Sequence, residues 1–133
     1  MSEASVYSMK LRDRPEFRSK PRPLTVTSDV SAKEAVDAMI ANNYGSVVIV
    51  DSQDKVIGIV TERDVMRNLV GDGRDAQATR VSEIMTRDPR VARDTDDLVD
   101  WLRIMSNDRF RRLPVVDEEG RIMALFTQGD FVS

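Results

Sequence analysis

Neither cysteine nor histidine occurs in the 133 residues. The first absence excludes a disulfide framework, thiolate metal sites and thiol catalysis. The second removes the usual proton shuttle, every Ser-His triad and the common zinc ligand. An enzyme built from what is left would need carboxylates, lysine or tyrosine. Aromatic residues are scarce at 5%, while charged residues reach 32%, above the ordinary level of about a quarter. Long apolar runs are missing too. The longest, 56–60 and 122–126, hold five residues each, whereas a membrane helix takes about 20. The N-terminus is polar and offers no signal-peptide core. No membrane insertion is expected, and a cytoplasmic location is.

The net charge of −3 argues against a general polyanion binder. The charge is uneven. Residues 1–22 carry Lys10, Arg12, Arg14, Arg18, Lys20 and Arg22 against Glu3, Asp13 and Glu16. Residues 1–20 show no sustained periodicity and read as a mobile arm, or one ordered only by a partner. Arg109, Arg111 and Arg112 stand together before an apolar run, as a solvated helix end or an anion site.

What the chain does contain is an internal repeat. At an offset of 66, Met39 matches Met105, Val50 matches Val116, Asp51 matches Asp117, Thr61 matches Thr127 and Asp64 matches Asp130. Each copy opens with an extended piece, 24–27 or 91–93. A helix follows, because Ala32, Ala35, Val36, Met39 and Ile40 fall on one face. Ser31 and Glu34 form a capping box at its start. In the second copy Leu98, Trp101, Leu102 and Met105 take that face, and Asp94 or Thr95 can cap. Then come a strand (46–50 or 113–116), a turn (51–55 or 117–121), a second strand (56–60 or 122–126) and a helix opening at Thr61 or Thr127. The order is β-α-β-β-α, twice, an α/β (α+β) chain. The boundaries are an arm over 1–18, a first repeat over 19–70, a polar linker over 71–80 and a second repeat over 81–133. Residues 81–85 look like a short helix closed by Asp88 and Pro89.

The G-x-x-T-x-x-D pattern at Gly58, Thr61 and Asp64 has a chemical logic. A threonine where a strand ends and a helix begins can cap that helix or aim its hydroxyl at a phosphate. An aspartate three residues on faces the same way and accepts two hydrogen bonds side by side, which suits the paired hydroxyls of a ribose. Read structurally, the threonine is a cap and the aspartate a favourable first-turn charge. Thr127 and Asp130 repeat the spacing, with Ala124 in the glycine's place.

These motifs, with Ser82-Glu83-Ile84-Met85-Thr86 and Arg111-Arg112-Leu113-Pro114-Val115-Val116-Asp117, resemble the CBS-domain pair, or Bateman module, over about residues 19–133. The resemblance implies two repeats packed sheet against sheet about a pseudo-twofold axis, and a free-standing, non-enzymatic sensor. It implies no required cofactor. The regulatory ligand would be an adenosine-containing molecule: AMP, ADP or ATP first, then S-adenosylmethionine or an NAD-type molecule. It also implies a homodimer and an unidentified protein partner. Its clefts lie between the repeats. One would combine Arg112, Thr127 and Asp130 with Ser19, Leu24, Tyr44 and Gly45. The other would combine Thr61 and Asp64 with Pro89, Phe110 and Arg111. The second cleft is the weaker, because Ser46 stands where the first has Arg112 and Arg111 stands where the first has Gly45.

Two rivals come from other classes. One is a dimerisation module with vestigial clefts. The other is a DNA-associated regulator using the basic arm, although the arm lacks aromatic interleaving and a nucleic-acid motif. No metal site is expected at Asp94, Asp96, Asp97 and Asp100, which lie at a helix start and lack the spacing of a calcium loop.

Overall fold

The computed structural model describes residues 9–15, 17, 22–108 and 112–127. The chain divides into two compact units, Pro23–Pro89 and Met1–Arg22 with Arg90–Ser133.

The first unit runs β1 (Thr25–Thr27), α1 (Ala32–Asn42), β2 (Ser46–Val50), β3 (Val56–Thr61), α2 (Glu62–Asp64) and β4 (Thr86–Arg87). Its sheet has the order β1-β2-β3-β4. Strand β1 is parallel to β2, and the other pairs are antiparallel. Every residue of β2 is buried. That explains why Val47-Val48-Ile49-Val50 does not alternate with polar residues, as a half-exposed strand would. Helix α1 starts where expected, with the Glu34 N–H donating to Ser31 Oγ at 3.0 Å, the serine half of the expected capping box. It stops at Asn43, whose left-handed φ of 55° suits asparagine. Ala32, Ala35 and Met39 enter the core, whereas Ile40, expected on the same face, is 72% exposed. It lines an open cavity beside the turn that follows α1.

Helix α2 is a single turn that continues into a π-helical stretch, Val65–Val70. Residues 81–85 make a 3-10 turn at Val81–Glu83 and then join the sheet through β4, rather than forming a longer helix. The segment expected as a linker contributes here. Thr79 is buried, and its carbonyl accepts the Ala32 N–H at 2.7 Å.

The second unit contains β5 (Ala92–Arg93), α3 (Leu98–Asp108), β6 (Arg112–Val116) and β7 (Ile122–Thr127), with sheet order β5-β6-β7. The helix expected to open at Thr127 lies outside the described residues. Both units shift register at the same repeat position, between Ile49 and Val50 and between Val115 and Val116. Both turns are held alike: Asp51 Oδ1 accepts the N–H groups of Gln53 and Lys55, and Asp117 Oδ1 those of Glu119 and Arg121. The left-handed turn position is Asp54 in one and Gly120 in the other.

Two expectations for this unit change. Helix α3 is capped by Asp97, which accepts the Val99 N–H at 2.9 Å, not by Asp94 or Thr95. Residues 92–93 are held in strand β5, so the helix begins later, at Leu98. The described part of the basic arm is also not loose. Leu11 is fully buried in the second core, with Met9 and Phe17 packed beside it. Its N–H donates to the Asp96 carbonyl at 3.0 Å, and that of Arg12 to the Asp94 carbonyl at 3.0 Å. The apolar spacing Met9, Leu11, Phe17 fits no single period, because the three residues straddle a 3-10 turn at Leu11–Asp13.

Candidate functional site

Each G-x-x-T-x-x-D motif ends a strand whose neighbour brings a second residue to the threonine. In the first unit Thr61 is directly opposite Ser46, and in the second Thr127 is directly opposite Arg112. Residues opposite each other in an antiparallel pair present their side chains on one face, with Cβ atoms about 4.5–5.5 Å apart. The second unit therefore pairs an arginine with the threonine, both residues half-buried, and a guanidinium within reach of that strand end can fork two hydrogen bonds onto a phosphate or carboxylate. Ser46 in the first unit is uncharged and only 4% exposed.

The first-unit motif is engaged with itself. Thr61 Oγ1 accepts the Asp64 N–H at 3.3 Å. Asp64 Oδ2 in turn accepts the Thr61 N–H at 2.9 Å and the Thr61 hydroxyl at 3.1 Å. The Thr86 hydroxyl adds a bond to Asp64 Oδ1 at 3.1 Å. This is a reciprocal capping box with a third partner from β4. Thr86 closes the Ser82–Thr86 motif, and its role here depends on the pairing of β4 with β3, which spacing does not encode.

The turn after α1 comes next to this motif. The Glu62 N–H donates to the Gly45 carbonyl at 3.1 Å, and the Tyr44 N–H to the Met39 carbonyl at 2.9 Å. Here the first unit has a cavity of about 370 Å³, whose walls include Val36, Met39, Ile40, Tyr44, Gly45 and Val65. Tyr44 and Gly45, assigned by the resemblance to one site, thus adjoin the strand end carrying Thr61, assigned to the other. Leu24 is half-buried, and its carbonyl accepts the Val48 N–H at 3.0 Å. Pro89 is half-buried and outside any strand or helix. Ser19, Phe110, Arg111 and Asp130 lie outside the described residues.

Among the described residues no group of three acidic side chains is placed to hold a metal ion. The aspartates at the start of α3 have other work. Asp96 Oδ2 accepts the Trp101 indole N–H and the Arg93 backbone N–H, each at 2.9 Å. Among the same residues, no helix is long and apolar enough to cross a membrane.

The family model for the CBS domain matches residues 16–71 and 81–133. A 17.7 kDa protein of Acidianus ambivalens is 34% identical over 105 residues, 79% of this chain. The chain spans 62% of the length of that relative. A solved protein with CBS domains from Burkholderia ambifaria superimposes with a TM-score of 0.78 at 34% identity, covering 90% of each chain. Another solved CBS domain pair is in complex with 5'-methylthioadenosine and S-adenosyl-L-methionine. It has a TM-score of 0.75 at 30% identity, covering 92% of this chain and 91% of that one.

Proposed function

The chain belongs to the CBS-domain family, and from that premise we propose that it is a non-enzymatic regulatory module binding an adenosine-containing ligand, with an adenine nucleotide preferred. The observation that carries this reading is the Arg112–Thr127 pair, an arginine paired across the strands with a threonine at the strand end. Support also comes from the 30%-identical domain pair whose ligands both contain adenosine. Arg112 and Thr127 take the phosphate, and Asp130 the ribose hydroxyls. The Ser46–Thr61 counterpart has no cation and is the weaker site. Binding stabilises one arrangement of the chain and so changes the surface offered to a protein partner.

A thermal-shift panel of AMP, ADP, ATP, S-adenosylmethionine, NAD and GTP tests the class of ligand. A ligand at 100 times its dissociation constant stabilises by about 2.7 kcal/mol. Flat melts across the panel at millimolar ligand would overturn the reading. Calorimetry then ranks the sites. Arg112→Ala should weaken the tighter event by about 1.5–3 kcal/mol, roughly ten- to a hundredfold. If Asp64→Ala abolishes that event and Arg112→Ala leaves it intact, the ranking is reversed.

One observation favours assembly as a second role. Ile40, Met66 and Val70 of the first unit are 72%, 63% and 71% exposed, and exposed apolar patches mark interfaces. A homodimer through this face is the corresponding proposal. Light scattering that finds the mass of one chain at micromolar concentration would remove it.

A further inference from the structure

Two short segments perform the same task in the two units. In the first, Arg80-Val81-Ser82-Glu83 lies across the start of α1. The Val81 N–H donates to the Val30 carbonyl at 2.8 Å, the Ala32 N–H donates to the Thr79 carbonyl at 2.7 Å, and Ser31 and Arg80 form an antiparallel bridge. In the second, Lys10-Leu11-Arg12-Asp13 lies across the start of α3. The Leu11 N–H donates to the Asp96 carbonyl at 3.0 Å, the Leu98 N–H donates to the Met9 carbonyl at 2.9 Å, and Lys10 and Asp97 form the bridge. Each receiving residue of the second unit stands 66 positions after its counterpart, whereas the segments themselves stand 70 apart.

The segments share a pattern: a basic residue, a large aliphatic, any residue, then an acid. Each position has a reason. The acid closes the segment on itself, Asp13 accepting the Lys10 N–H at 3.1 Å and Glu83 the Arg80 N–H at 2.7 Å. The aliphatic side chain is fully buried in both. Its N–H, and the carbonyl two residues earlier, pair with groups just before the helix and in its first turn, which a helix leaves unmatched. In the second unit four aspartates, Asp94, Asp96, Asp97 and Asp100, stand at the same helix start, and the backbone bonds of Leu11 to Asp96 and of Arg12 to Asp94 bring the basic segment against this acidic stretch.

The two differ in connection. Residues 79–83 belong to the stretch that follows their own unit's closing helix. Residues 9–13 come from ahead of the whole first unit. We propose that the start of α3 is a peptide-docking site for a basic–aliphatic–any–acidic segment. Residues 9–13 are its tethered occupant, and a free peptide of the same pattern binds there when the tethered one is weakened.

A fluorescent peptide of residues 9–17, titrated by anisotropy against the full chain, tests this. A tethered segment competes at an effective concentration of order millimolar. The peptide should therefore bind the Leu11→Ala chain saturably and at least tenfold more tightly than the unaltered chain. Methylating the peptide's leucine N–H, or replacing that leucine by aspartate, should cost at least tenfold. Raising salt from about 0.05 to about 0.5 M should weaken binding, since Asp100 is exposed and Asp94, Asp96 and Asp97 are only half-buried. If Leu11→Ala does not fold, as judged by emission of the single tryptophan, Leu11→Val serves with a smaller ratio, valine being the first unit's own choice. Equal or absent binding to the unaltered and weakened chains overturns the proposal, as does indifference to the methylated N–H.

Discussion

Where β2 begins, Ser46 faces Thr61; where β6 begins, Arg112 faces Thr127. The backbone geometry at the two places is the same, down to the shifted register later in each strand pair, and the side chains differ. Other matched positions behave likewise. Gly58 pairs with Ile49 as Ala124 pairs with Val115, and Val60 pairs with Val47 as Phe126 pairs with Leu113. The contrast separates what the repeat fixes from what it leaves free. Strand pairing, turn anchoring and helix start are common property. Charge at the strand end and bulk in the core are local choices, set by what else reaches that point. Gly58 shows this directly: a Cβ there would collide with Met85 Sδ, because the chain returns over β3 as β4.

The largest test of that contrast is in the cores. Phe126 is fully buried and meets Phe17 edge to face, with ring centroids 5.9 Å apart. Phe126→Ala should cost about 3–5 kcal/mol in urea unfolding. Val60→Ala, at the matching position, should cost less. The reverse order would break the idea that the second core depends on one large ring. Next in size, Gly58→Ala should cost about 1–3 kcal/mol by overpacking. Adding Met85→Ala should recover part of it, a coupling that a double-mutant cycle measures. At the matching site Ala124→Gly should cost only about 0.5–1 kcal/mol, as glycine is floppier when unfolded. Smallest is an effect of acid. Glu83 is held below its ordinary 4.5 by the Arg80 N–H and then by Arg74, against an opposing contribution from burial. A carboxyl lowered on folding lends stability above its unfolded value and loses it as pH falls through the folded one. Glu83→Gln should therefore flatten the melting temperature against pH below about 4.5, lowering it slightly at neutral pH and leaving it nearly unchanged in strong acid, where Glu83 is protonated anyway. An unaltered acid slope would show that the turn at Val81–Glu83 does not draw on this charge.

Much of the fold was legible because the repeat supplies its own control. One apolar helix face is suggestive, and two in register, each followed by two strands and an aspartate-anchored turn, specify an order of elements. The Thr61 and Thr127 strand ends were found in the same way. Three things were not legible. Ile40 has the right spacing for the core but lies on the wall of an open cavity, a tertiary circumstance that periodicity does not carry. Thr86 reaches Asp64 through strand pairing 22 positions away in sequence, which no local pattern encodes. The kinship of residues 9–13 with residues 79–83 was hidden because its offset is 70 rather than 66, and because it rests on backbone bonds and residue classes rather than identities.

That kinship bears on the order in which the molecule can be completed during synthesis. Val81 follows its acceptor Val30 by 51 positions, so the first unit has all its parts once Pro89 has emerged. Leu11 precedes its acceptor Asp96 by 85 positions. At about 5–20 residues per second the segment waits roughly 4–17 s for the place it occupies. Contacts so distant in sequence close slowly, because the loop entropy is lost before any bond is gained. The second unit is therefore expected to be the late-folding half of the chain, with Leu11 exposed to solvent, chaperones or other nascent chains in the interval.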